Sequence, residues 1–147
     1  MGTMLIEEAM RRRLSASAGL VAVVSTRIYP LVAAQTATLP YLVYTRIDGD
    51  PDHHMSAESG FATMRMQIDA YAASYTAVKA LANLVRLALN GYQGTVTAGE
   101  NSVNIGSIRL ENDQDIAPLL SDGEDVPRYY RVTQDYIVTH SQEVPTF

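Results

Sequence analysis

The chain has 147 residues, a formal net charge of −5 and no cysteine. That length suits one domain, and 47% hydrophobic residues can fill a core, which excludes disorder over most of the chain. The missing thiols exclude disulfide scaffolds, thiolate zinc sites and cysteine nucleophiles. The balance of 16 acids against 11 bases weighs against tight binding to nucleic acid or to anionic membranes. No apolar run reaches the ~18 residues of a membrane span. Arg11 to Arg13 follow the first apolar residues, the reverse of a signal peptide, so folding in a cytoplasm is expected.

In chain order, Thr3 to Leu14 predicts a helix. Apolar residues recur at three- and four-residue steps, Thr3 is the expected cap, and Glu7 and Glu8 precede Arg11 to Arg13. Leu20 to Val24 predicts a short apolar turn of helix or a buried link. Arg27 to Pro30 reads as extended, residues 32–39 as a loop, and Tyr41 to Ile47 as a strand rich in β-formers. Asp48 to Gly60, with Gly, Pro and many polar residues, predicts a long turn.

Phe61 to Tyr71 carries the clearest period of two. Ala62, Met64, Met66, Ile68 and Ala70 alternate with Thr63, Arg65, Gln67 and Asp69. Ser74 to Asn90 predicts a helix with Val78, Leu81, Ala82, Val85, Ala88 and Leu89 in one stripe. Leu84 and Leu87 lie off that stripe and suggest burial on a second side. After a glycine-rich stretch, Val103 to Leu110 and Arg128 to Thr139 predict two more strands. Glu111 to Asp125, with six acids and no base, predicts an exposed loop, and Ser141 to Phe147 a loose tail.

The sum is an α+β fold. A mostly antiparallel sheet of about four or five strands carries two main helices on one face. One domain over residues 1–140 and a flexible tail over 141–147 are expected. The other sheet face, with Thr63, Arg65, Gln67, Asp69, Arg131, Thr133 and Asp135, is left polar and open to solvent or a partner. The chain has nine tyrosines and no tryptophan, and tyrosine is enriched at interfaces. Adjacent strand tyrosines face opposite ways, so Tyr41, Tyr44, Tyr129, Tyr130 and Tyr136 cannot all be core.

The search for chemistry finds little. Asp48, Asp50, Asp52, His53 and His54 form the densest constellation. A calcium loop counted from Asp48 needs Gly at its sixth position and Glu at its twelfth, where this chain has His53 and Ser59. Adjacent His53 and His54 point to opposite sides of a strand. A solvated hairpin tip is the simpler reading, with a small metal-binding or enzymatic domain as the alternative. Gly-x-Ser-x-Gly and the phosphate loop are absent, and no catalytic residue or cofactor is expected.

The order of segments is nonetheless familiar. An N-terminal helix leads to Arg27-Ile28-Tyr29-Pro30 and then Leu39-Pro40-Tyr41-Leu42-Val43-Tyr44. The strand Met64 to Ala72, the helix Tyr75 to Leu89 and an acidic strand end (Ile108 to Asp115) precede Tyr129 to Tyr136. This resembles the tail-completion or head–tail joining proteins of long-tailed bacteriophages, from about Met4 to Thr139. The resemblance implies a small α+β subunit without catalytic residues or cofactors. It implies a homo-oligomeric ring, typically of six, on the tail tube, where it meets the tube protein and the head connector. DNA would be met only in passage through the lumen. The expected location is the neck of a virion assembled in a bacterial cytoplasm. On the residue reading beside it, Arg65, Asp69, Tyr129, Arg131 and Asp135 are the expected contact residues, and Asp48 to Gly60 an arm toward tube, connector or lumen.

Overall fold

The computed structural model describes residues 2–53, 58–117 and 129–141. Its elements are β1 (Gly2–Thr3), α1 (Ile6–Ser15), α2 (Ala18–Val24), β2 (Ile28–Pro30), β3 (Tyr41–His53), β4 (Glu58–Ala72), α3 (Tyr75–Leu89), β5 (Gly94–Ala98), β6 (Asn101–Ile116) and β7 (Tyr130–Ser141). One sheet runs in the order β1-β6-β7-β4-β3-β2, with β5 also paired to β6. The four long strands pair antiparallel. β1 on β6 and β2 on β3 are parallel.

The fold is α+β with a largely antiparallel sheet. Seven strands and three helices stand among the described residues, against the four or five and two expected. The additions are short. β1 has two residues, too few for an alternation to register, and β5 has five within the stretch read only as glycine-rich; β2, of three residues, falls in the segment read as extended.

The period-two side of β4 (Ala62, Met64, Met66, Ile68, Ala70, Ala72) is buried with Val132, Tyr136 and Val138 of β7. Val78, Leu81, Val85 and Leu89 of α3, Met10 and Leu14 of α1, and Leu20 and Val24 of α2 join the same core. Each such side chain contributes about 1.5–3 kcal/mol on burial. The Ser74 hydroxyl caps α3 by accepting from the Ala77 amide at 3.1 Å. Gly91, at φ +84°, follows its end, where an L side chain would be strained.

Thr3 does not cap α1. It pairs with Ser102 in β1, and the N-cap is Leu5 without a side-chain bond. α2 is a true helix, capped by the Ser17 hydroxyl accepting from Leu20 N at 3.3 Å. A Cβ on Gly19 would stand 3.1 Å from Leu84 Cδ2, so α2 lies close on α3 and half-buries Leu84. Leu87 is 64% exposed in the single chain.

The acidic stretch departs most from expectation. β6 continues as strand to Ile116, because Arg131 to Asp135 of β7 pair with Asn112 to Ile116. The far end is tied to α3: Asp115 accepts from the Tyr75 hydroxyl at 2.7 Å and the Lys79 ammonium at 2.9 Å. Lys79, then Tyr75, hold the Asp115 carboxyl below its ordinary range. Residues 118–125 of that stretch, and the tail beyond Ser141, lie outside the described residues.

One polar pair crosses the core. Gln134 donates to the Ala82 carbonyl of α3 at 3.1 Å and accepts from the Tyr136 hydroxyl at 3.0 Å. Tyr136→Phe strands that acceptor and is expected to cost about 1 kcal/mol. A lowered urea midpoint at unchanged slope checks this; an unmoved midpoint would show that the pair contributes nothing.

His140 closes the top of β7 and is buried. Burial first, then Arg46, push its pKa below the ordinary 6.5, opposed by its bond to Ser141 O and by Glu7. Its neutral form therefore suits the folded state. As pH falls through 6.5 the unfolded chain takes the proton first, and stability is lost toward acid. Between pH 7.5 and 5.5, melting of the native chain should fall further than that of His140→Gln. Equal falls would refute the assignment.

Candidate interaction face

The helices cover one side of the sheet, which leaves the odd positions of β4 and β7 on the other. Register sets Asp69 opposite Thr133, Gln67 opposite Asp135 and Tyr71 opposite Arg131. Pairing then runs diagonally. Arg131 donates to Asp69 at 3.2 Å, and Arg65 reaches Asp135 at 3.5 Å. Gln67 Nε2 lies 3.1 Å from both Asp69 oxygens, and the Thr133 hydroxyl also donates to Asp69. Asp69 is only 5% exposed, so four donor contacts compensate the loss of water around its carboxylate.

Below this network lie four half-buried tyrosines. Tyr41 stacks on Tyr71 with centroids 4.8 Å apart; Tyr29 meets Tyr41 edge-on at 6.0 Å, and Tyr129 meets Tyr71 at 5.4 Å. The Arg131 guanidinium lies 5.7 Å from the Tyr71 ring centroid. Burial raises the phenol pKa of Tyr41 and of Tyr71. Each ring pair adds roughly 0.5–1.5 kcal/mol beyond area. Arg131 Nε and Asp135 Oδ1 are buried without a partner among the described residues.

The structure thus brings Arg65, Asp69, Tyr129, Arg131 and Asp135 onto one face, with both Arg–Asp pairs closed inside a single chain. Sequence reasoning missed Tyr29 and Tyr71. Tyr71 was legible as the next odd position of β4, whereas Tyr29 needed the β2–β3 pairing. Tyr136 belongs to the core, and Tyr44 and Tyr130 pack against it.

The expected arm is largely strand. β3 runs to His53 and β4 starts at Glu58, with His53 opposite Glu58. Among the described residues β7 ends at Ser141, opposite Phe61, and the β3–β4 hairpin continues past it. Asp48 is exposed; Asp50, Asp52 and His53 are placed by backbone alone, and His54 lies outside the described residues. Among the described residues no three His, Cys, Asp or Glu are placed to hold a metal ion. No described helix is long and apolar enough to cross a membrane.

No curated protein matches this chain. Among solved structures it is similar to a chain of the virion of a native gene transfer agent particle. Identity is 17%, the match covers 92% of this chain and 94% of that one, and the TM-score is 0.71, a likeness of fold. Residues 8–141 match the family described as tail completion protein gp17. With that match over nearly its whole length, the chain belongs to the phage tail completion protein family and is a structural virion protein.

Proposed function

We propose that this chain forms a ring, of six copies, on top of the tail tube, where it completes the tail and joins it to the head connector. The Arg–Asp and tyrosine face carries the reading. It is built like an interface, rich in Tyr and Arg, with Tyr29, Tyr41, Tyr71 and Tyr129 only half-buried in the single chain. Arg65, Tyr129, Arg131 and Asp135 make the contact, while Asp69 holds Arg131 in place. Family membership supports the tail, and the net charge of −5 suits a lumen through which DNA slides without sticking. The role is structural, in the neck of a virion assembled in the host cytoplasm, and needs no cofactor.

Electron microscopy of lysates from a phage lacking the gene tests this. DNA-filled heads beside unattached tails are expected. Overlong tails would identify a length terminator, and normal lengths an adaptor. Intact, infectious virions would overturn the proposal.

A further inference from the structure

The long strands order as β6-β7-β4-β3, each antiparallel to the next. Three reversals leave β3 and β6 antiparallel to each other. A second copy displaced sideways therefore presents its β6 to the first copy's β3 in the sense that continues the sheet.

Each outer edge is covered over only part of its length. β2 pairs with Leu42 to Tyr44 of β3, and the Leu31 amide adds a bond to Tyr44 O at 2.9 Å. On β6, β5 covers Asn101 to Ile105. Past it, Gly91 N donates to Ile108 O at 2.8 Å and the Asn90 side chain accepts from Leu110 N at 3.0 Å. Thr45 to Asp48 of β3 and Glu111 to Ile116 of β6 have no strand on their outer side among the described residues. Open edges of this kind are templates for another chain.

We infer that adjacent copies in the ring join by antiparallel pairing of the Thr45–Asp48 edge of one with the Glu111–Ile116 edge of the next. This rests on the ring reading above. Three observations favour this pairing over like-with-like contacts. First, Glu111, Asp113 and Asp115 would oppose their own copies in a β6–β6 contact, whereas the β3 segment carries Arg46 and is neutral with Asp48. Like charges directly opposite destabilise a strand pair. Second, the β3 edge exposes apolar side chains. Ile47 sits in a bulge at 48% exposure, and Leu31, whose amide bonds Tyr44 O where the open stretch begins, is 69% exposed.

Third, the open stretches are offset. Arg46, Met66, Tyr136 and Leu110 share one row, while Leu42, Ala70, Val132 and Asp115 share another. Pairing of their centres thus shifts each copy by about three residues, roughly 10 Å, for every four strands, roughly 19 Å. The slope is about 28°, and a sheet that closes on itself needs strands tilted to its axis. A β3–β3 contact would end at two copies.

The cysteine-free chain makes the test direct. Ile47→Cys is combined in turn with Asn112→Cys, Asp113→Cys and Gln114→Cys, all exposed positions. Purified tails carrying each variant are oxidised, with the single variants as folding and cross-linking controls. At least one double variant should shift most of the chain into a ladder of disulfide-linked multimers, while the singles stay monomeric on denaturing gels. Dimers from Ile47→Cys alone would overturn the inference in favour of a two-fold contact. No ladder from any double variant, with the chain present in tails as a multimer, would overturn the edge pairing alone. Absence of the chain from tails would overturn the ring reading and this inference with it.

Discussion

Asp69→Ala is expected to lower the melting temperature by about 10 °C. The substitution leaves the Arg131 guanidinium, the Thr133 hydroxyl and the Gln67 amide facing a cavity instead of a carboxylate. Breaking one partner of such a pair costs about 3–5 kcal/mol, and each kcal/mol is worth roughly 2–4 °C at this chain length. Replacing both charges, as in Asp69→Leu with Arg131→Leu, should recover much of the loss, since no lone charge is then buried. Calorimetry on the three proteins decides. A single variant within 2 °C of the native chain would mean that water replaces the network at little cost.

Removal of residues 51–58 should do the opposite, sparing stability and impairing attachment. The deletion joins Asp50 to Ser59, and because Asp50 opposes Thr63 the remaining residues 59–62 can close the shortened hairpin. Apart from Pro51, which lies level with His140, the described residues lost lie past Ser141, where β7 ends. Melting should stay within about 2 °C, since the pairs lost lie at a fraying end. Joined particles should fall roughly tenfold or more, the effect of losing about 1.4 kcal/mol of contact. Normal infectivity at normal stability would remove the hairpin from the attachment surface.

The two faces of β4 were legible in the sequence because fifteen strand residues give alternation room to repeat. The stripe of α3 was legible for the same reason, with Asn90-Gly91 marking its end, while the choice of Ser74 over Thr76 as its cap needed the structure. The extension of β6 was not. Glu111 to Asp115 are poor β-formers, and they are strand only because β7 lies beside them and Tyr75 and Lys79 hold Asp115. The charge pairs were legible as residues on one face. Which arginine meets which aspartate depends on a register between segments 62 and 70 residues apart, and nothing local encodes that. The stacking of Tyr41 on Tyr71 likewise follows from the β3–β4 register.

β7 is the last strand of this sheet in chain order, yet it lies between β6 and β4. Until it emerges from the ribosome, the β3–β4 hairpin and the β5–β6 hairpin have no strand to join them. The sheet is therefore completed from the middle and late, through contacts distant in sequence, a topology that slows folding. A chain cut short before Tyr130 would leave two separate hairpins with bare inner edges, prey to proteolysis and aggregation. On the proposed ring reading, a copy truncated there would lack the completed sheet through which it is proposed to meet a neighbour.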